Sequence, residues 1–319
     1  MKNITIAIAL VIVLSAAAFG QAALVTQTTP AATPTLVERL GYPRDAKLLI
    51  VHVDDLGMAH TIDAAASKAF ASGLVTSGSI MVPCPWFTEI AAYARNHPEA
   101  DLGLHLTLTS EWRLYRWGPV LAQDRVPSLL DAEGYFYPTE MEAAAHINAQ
   151  EAEAEIRAQI ERARAFGIQP THLDSHMDTL YQNKVLFETL LRVARDNKLP
   201  VRISKEALTS SSFTSVVIKP DDILLDNIIT IEPAVAPEHW ADFYTDAIKH
   251  LQPGVTEFVI HLAYDDEEMR AIAAEHPNWG AAWRQRDFDF FTSPTFRRLL
   301  EENHIQLITW RKLGSLLTH

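Results

Sequence analysis

One stretch constrains this chain more than any other. Leu48-Leu49-Ile50-Val51-His52-Val53 is an apolar, β-branched run that ends in two adjacent carboxylates, Asp54 and Asp55, followed by Leu56 and Gly57. Such a run reads as a buried strand delivering acids to a loop at the edge of a sheet or barrel. Neighbouring carboxylates repel each other, and a bound metal ion is the usual means of holding them together. Taken alone, the same residues also fit a turn in which Asp-Asp before Gly ends a strand without any chemistry.

From Lys47 onward the patterns of strand and helix alternate. Strands are expected at 77–82, 102–108, 171–176, 201–204, 222–231, 257–262 and 306–310. Helices are expected at 62–72, 86–96, 140–166, 185–197, 237–250, 266–275 and 294–303. Alternation of this kind argues for an α/β fold with a mainly parallel sheet. Roughly six to eight such units favour a TIM-like (β/α) barrel, with an open doubly wound sheet as the alternative. Residues 109–138 interrupt the pattern and scatter Trp112, Tyr115, Trp117, Tyr135 and Tyr137 through an irregular stretch. A loop this long inside a compact domain is more often functional than accidental.

The N-terminus reads as an export signal: Lys2, an apolar run from Ile4 to Leu14, then small residues that place a cut after Ala22. The apolar run is short for a spanning helix, which needs about 20 residues. Residues 23–44, rich in Thr, Ala and Pro, read as a flexible leader, and residues 45–319 as a single barrel domain. The expected location is therefore periplasmic or extracellular, with no stable membrane insertion once the signal is removed. Cys84 is the only cysteine, so no internal disulfide can form and stability rests on the core. Forty acidic against 27 basic residues give a net charge of −13, which argues against a nucleic-acid partner.

Chemistry gathers at four strand ends: Asp54 with Asp55, His105, His176 with Asp174, and His261. In a parallel barrel all strand C-termini meet at one face, so groups distant in sequence can converge there. A histidine inside an apolar strand, as in Leu104-His105-Leu106, costs free energy unless it has a partner. A hydrogen-bonded core histidine is the plain reading of any one of them, but three on three strands point to a site. One carboxylate plus two imidazoles suits one divalent metal, Zn²⁺ above all, with Co²⁺ or the more oxygen-loving Mg²⁺ as alternatives. The second aspartate of the pair is then free to act as a base on water at the metal.

Three motifs carry a resemblance: Val53-Asp54-Asp55-Leu56-Gly57, Gly103-Leu104-His105-Leu106-Thr107-Leu108-Thr109 and Thr171-His172-Leu173-Asp174-Ser175-His176. In this order and spacing they resemble the YdjC-like (ChbG/HpnK) carbohydrate deacetylases, relatives of the wider polysaccharide deacetylases, from about Lys47 to the C-terminus. The resemblance implies a distorted (β/α) barrel carrying one divalent metal and hydrolysing an N-acetyl group on a saccharide. It further implies Asp54 as general base and Asp55, His105 and His176 as metal ligands. Strand alternation puts His172, Asp174 and His176 on one face, with Asp174 placed to orient an imidazole. Where the family tends to carry His-Pro-Gly-Tyr, with the histidine as proton donor, this chain has His261-Leu262-Ala263-Tyr264. Asp178 stands where a glycine is expected. These departures bear on substrate range rather than on the chemistry.

Trp112 and its neighbours could stack on sugar rings or equally pack in the core. Arg202, at the start of a strand, could hold a polar group of the substrate, although a surface ion pair is its plainer reading. Two other readings stay open at this stage. One is a metal-dependent barrel hydrolase or isomerase acting on another small ester, phosphate or sugar. The other is a non-catalytic periplasmic saccharide-binding protein, against which the retention of both Asp54 and Asp55 argues.

Overall fold

Parallel pairing joins every neighbouring pair of strands. The strands are β1 (Lys47–Leu56), β2 (Ser77–Ile80), β3 (Leu102–Leu106), β4 (Leu173–Ser175), β5 (Asn227–Thr230), β6 (Gly254–Ile260) and β7 (Ile305–Leu307). Their order is β4-β3-β2-β1-β6-β5, with β7 beside the first residues of β1. Two isolated parallel bridges, Leu173 to Val201 and Ser204 to Leu225, carry the pairing on from β4 towards β5. The sheet therefore curls round into a distorted barrel. These features come from a computed structural model that describes residues 33–209, 215–276 and 278–317. The expected signal at 1–22 and the start of the expected leader lie outside the described residues.

The helices, in chain order, are α1 (Leu36–Arg39), α2 (His60–Ala71), α3 (Phe87–Asn96), α4 (Glu140–His146), α5 (Ala149–Ala165) and α6 (Lys184–Asn197). They continue with α7 (Trp240–Lys249), α8 (Glu267–Ile272), α9 (Ala281–Phe291), α10 (Pro294–Glu302) and α11 (Trp310–Gly314). None of the described helices is long and apolar enough to cross a membrane.

Four sequence expectations change. The expected strand at 201–204 is present only as two isolated bridges, at Val201 and Ser204. The single long helix over 140–166 is two helices, because Ile147 is extended (ψ 125°) and the Asn148 side chain caps α5 by accepting from Gln150 and Glu151 N–H. The helix α9 was not expected. Its buried positions Ala281, Trp283, Arg284, Asp287, Phe290 and Phe291 have helical spacing, but two of the six are charged and break the apolar stripe. Finally, ordered structure begins before residue 45. Thr35 and Glu38 form a capping box on α1, and Leu36, Val37 and Leu40 are buried, so this part of the expected leader is structured.

Alternation along β1 divides the interior. Leu49, Val51 and Val53 belong to the large core beneath the helices. Leu48 and Ile50 face the other way and join Val255, Leu225, Trp310, Leu313 and the α1 residues in a second apolar cluster. Next on that inner side come His52 and Asp54, both buried. The barrel interior is thus apolar at its base and polar above it.

The 109–138 loop is tied down by α5. Glu155, fully buried, accepts from the Val120 and Leu121 N–H groups at 2.8 and 3.1 Å. Gln159 accepts from Thr107 N–H at 3.0 Å and donates to its carbonyl at 2.8 Å. Two of the loop aromatics are spent on the same task, with Trp117 Nε1 donating to the Thr109 carbonyl and the Tyr115 hydroxyl to that of Met58.

Gly103 on β3 shows how tightly the interior is filled. A Cβ there would lie 2.4–2.6 Å from three atoms of the His172 ring, which stacks on Trp310 with centroids 4.9 Å apart. Gly103→Ala should therefore overpack the interior and lower stability by about 1–3 kcal/mol. The measurement is the shift in denaturant midpoint.

Candidate metal centre and catalytic site

Adjacent strand residues normally point to opposite faces, yet Asp54 and Asp55 both reach one cavity. The register of β1 against β2 explains this. His52 pairs with Ser77 and Val53 with Gly78, but the next pair is Leu56 with Ile80, so β1 carries one extra residue there. Asp55 sits in that bulge with φ 70°, which turns its carboxylate to the same side as that of Asp54. Gly78 makes room opposite, since a Cβ there would lie 3.0 Å or less from atoms of Val53 and Leu56.

Three expected ligands converge. Asp55 Oδ1 lies 3.4 Å from His105 Nε2 and 3.4 Å from His176 Nδ1, and all three residues are buried. Asp55 Oδ1 is itself a buried oxygen with no hydrogen bond. Each imidazole is steered from behind by a carboxylate: His105 Nδ1 meets Asp174 Oδ1 at 2.7 Å, and His176 Nε2 meets Glu111 Oε2 at 2.9 Å. These contacts turn His105 Nε2 and His176 Nδ1 towards the orphaned oxygen. The donor set fits one divalent ion.

Two other convergent groups share this interior, His52–His172–Asp174 and Asp54–His105–Asp174. Both include Asp174, and the Arg202 guanidinium lies 3.2 Å from its Oδ2, where it would repel a dication. Asp54 is engaged by the same guanidinium through both oxygens. The group built on Asp55 keeps an uncommitted oxygen.

Asp54 is anchored through Oδ1 by Ser79 at 3.2 Å, His52 at 3.0 Å and Arg202 at 2.9 Å. Its Oδ2 lies 3.8 Å from His105 Nε2, beside the ligand set. Burial alone would raise the Asp54 carboxyl, but Arg202, His105 and His52 outweigh it and hold it well below the ordinary carboxylate range. Asp55 behaves alike: burial opposes ionisation, and Arg284, 2.6 Å from Oδ2, together with His105 and His176, keeps it ionised.

The remaining sequence candidates divide. His261, just after β6, lines the cavity with its ring 4.8 Å from that of Trp279 and its backbone N–H donated to Asp287. Burial pushes its imidazole down to about 4, so the ring is neutral near pH 7. Trp112 lines the cavity and is buried in its wall, edge-on to His276. Arg202 is a buried partner of Asp54 and Asp174 and not part of a surface ion pair, because the two acids need a counter-charge inside the barrel. His172 lies deeper, sandwiched by Trp310 and the edge of His52, and does not line the cavity. Tyr264 packs edge-on to Phe288 outside the cavity lining, and its N–H donates to Thr61. Asp178, where a glycine was expected, does adopt a left-handed backbone (φ 53°), and its side chain lines the cavity.

Sequence reasoning missed three contributors. Arg284 hides in the unexpected helix α9, and Glu111 is a lone acid at the start of the irregular loop. His52 sits inside the opening run itself. Its Nε2 bridges Asp54 and Asp174 at 3.0 and 3.2 Å, and its Nδ1 lies 3.4 Å from Glu257. Burial opposes a charge on His52, but these carboxylates raise it to about 9. Because that exceeds the unfolded value of 6.5, its stabilisation is full below about pH 6.5 and is lost as pH rises through about 9. His52→Asn should therefore flatten the decline in unfolding free energy between pH 6.5 and 9.5. The wild-type minus variant difference, taken from denaturant curves on chelated protein, isolates this group from His176.

With the geometry in place, the similarities of the chain follow. The family model described as YdjC-like protein matches residues 48–302. A protein from Thermus thermophilus named carbohydrate deacetylase is 35% identical over 88% of this chain and 99% of its own length. A Yersinia pestis protein named chitooligosaccharide deacetylase is 26% identical over 82% of this chain and 97% of its own. A solved structure from Enterococcus faecalis V583, described as a cellobiose-phosphate cleavage protein, superposes with a TM-score of 0.70 at 27% identity, covering 84% of this chain and 99% of that one. The matched span takes in β1 with its bulge, both histidine strands and helix α9, and the chain belongs to the YdjC-like family.

Proposed function

We propose that this protein is a metal-dependent carbohydrate deacetylase that hydrolyses an N-acetyl group on a saccharide. The observation that carries the proposal is the Asp55–His105–His176 set, with Asp54 held beside it in the lining of a cavity of about 830 Å³. The names of the relatives support the same reaction. A divalent ion held by Asp55, His105 and His176 would polarise the acetyl carbonyl and make a water more acidic.

The chain supplies the rest. Asp54, fixed through Oδ1 and held by Arg202 at both oxygens, has Oδ2 on the side of the ligand set, where it takes the proton of the water as the water's oxygen attacks the acetyl carbon. Ser79, His52 and Arg202 stop the carboxylate from swinging away. The carbon–nitrogen bond then breaks, and the leaving nitrogen needs a proton to depart as an amine. His261 is the candidate donor. Being neutral at rest, it would relay to the leaving nitrogen the proton that Asp54 has taken from the water, which returns both groups to their starting state.

The direct test is acetate release from N-acetylglucosamine oligomers by metal-stripped protein reloaded with Zn²⁺, Co²⁺ or Mg²⁺. Restored release by at least one ion supports the reading, and none with any ion, despite stoichiometric binding, overturns it. Asp54→Asn should lower kcat by about 10²–10⁴-fold while metal binding, followed by calorimetry, persists. Asp174→Asn acts differently, since it removes the group that orients His105. It should weaken metal affinity by about 10–100-fold, read by competition with a chelating dye.

A further inference from the structure

Among the described residues, the phenylalanine, tyrosine and tryptophan side chains that line the cavity are Trp112, Tyr181, Phe187 and Trp279. Three of them are committed to its wall. Trp112 and Phe187 are buried, and Tyr181 packs on Phe187 and donates its hydroxyl to the Arg202 carbonyl at 2.7 Å. Trp279 is only partly buried, and its backbone is left-handed, with φ 62°. A turn that served only to enter α9 would carry glycine or asparagine there, since a bulky side chain is strained in this region. The surroundings enforce the conformation. The Trp279 carbonyl accepts from Arg284 Nε at 2.7 Å, and the indole stands 4.4 Å from that of Trp283. Trp283 packs in turn edge-on to Trp240, whose indole N–H donates to Asp287 at 2.8 Å. A strained residue held this firmly beside a catalytic group points to a task for its side chain.

We propose that Trp279 is the platform on which the pyranose ring bearing the scissile N-acetyl group stacks. The inference rests on the deacetylase reading and adds the residue that recognises the sugar ring. A pyranose presents an apolar C–H face that an indole can cover, while its hydroxyls call for polar partners nearby. The Trp279 ring lies 4.8 Å from that of His261, the candidate donor to the leaving nitrogen. A sugar stacked on the indole therefore carries its nitrogen close to that donor. Asn278, exposed in the same lining, supplies an amide for the hydroxyl groups. Because Trp283 and Trp240 back the indole, little conformational freedom is lost when a sugar covers it. The stacking role expected for Trp112, which is buried, thus passes to a residue in the loop before α9.

The experiment takes wild type, Trp279→Ala, Trp279→Leu and Trp279→Phe, each loaded with the same divalent ion. Calorimetry gives the Kd of the β-1,4-linked glucosamine disaccharide, which has no acetyl group to lose. Acetate release from the fully N-acetylated form of the same disaccharide gives kcat and KM. Trp279→Ala and Trp279→Leu should raise Kd and KM by about tenfold while kcat changes by less than about threefold, and Trp279→Phe should stay near wild type. Leucine keeps apolar bulk against His261 but has no aromatic face. The comparison of leucine with phenylalanine therefore separates stacking from packing, and it carries the test if the alanine variant does not fold. Wild-type Kd and KM in the leucine variant overturn the platform and leave the deacetylase intact. A fall in kcat with Kd and KM unchanged does the same, because the indole then only supports His261. Acetate release by none of the proteins overturns the deacetylase reading itself, and the Kd comparison then decides the platform alone.

Discussion

The site depends on one extra residue in β1. Without the bulge between Val53 and Leu56, strand alternation would send Asp54 and Asp55 to opposite faces, one towards the cavity and one towards the helices. Holding Asp55 at φ 70° is unfavourable for a residue with a Cβ, although aspartate tolerates it better than most. The surroundings enforce it. Gly78 vacates the space opposite, and the turn that follows is pinned by Asp63, which accepts from Gly57 N–H at 2.7 Å. The conformational strain is local, and it places the carboxylates of Asp54 and Asp55 side by side.

Two acids brought together in this way need compensation, and the barrel supplies it in pairs. Asp54 and Asp174 share Arg202 and His52, while Asp55 has Arg284 on one oxygen and no hydrogen bond on the other, which faces His105 and His176. Buried ion pairs of this kind are weak evidence for stability, because desolvation offsets much of the Coulomb gain. Their effect is geometric. Each guanidinium fixes the plane of its carboxylate, so the oxygens left over face known directions. The unsatisfied Asp55 oxygen, between two nitrogens steered from behind, is the position where the compensation stops and a cation would complete it.

How much of this could be read from residues alone follows from the range of the interactions. The strand ends bearing Asp55, His105 and His176 were legible because a polar residue that closes an apolar run stands out locally. The parallel barrel was legible because the alternation repeats. Arg284 was not, since its meaning comes from a contact 229 residues away in sequence, and its own helix alternates aromatic and charged side chains. Arg202 was visible but misjudged, as an arginine at a strand start is usually at the surface. His52 was hidden by its setting: one histidine in a run of valine and isoleucine gives no sign that three carboxylates will surround it. The start of the ordered domain was missed because the Thr35 capping box lies in a Thr- and Pro-rich stretch whose composition suggests a linker.

The layering of the barrel interior explains how a fold with no disulfide sustains so many buried charges. Leu48, Ile50, Val255 and Trp310 seal the base, and the Trp310 indole N–H reaches up to Glu257 at 2.8 Å, joining the apolar plug to the polar layer. Outside the sheet, Leu49, Val51 and Val53 pack into the main core. Burial of apolar surface on both sides of β1 is the favourable contribution against which the strained bulge and the desolvated charges are set. The arrangement also places rigidity where the chemistry needs it. Asp55 and His105 stand on strands paired to both neighbours and His176 directly after β4, while the acidic lining residues Glu140, Asp178 and Glu232 stand at a helix start, a left-handed turn and a strand exit. Substitution at those three positions can therefore alter the lining of the cavity without disturbing the strands that position Asp54, Asp55 and His105.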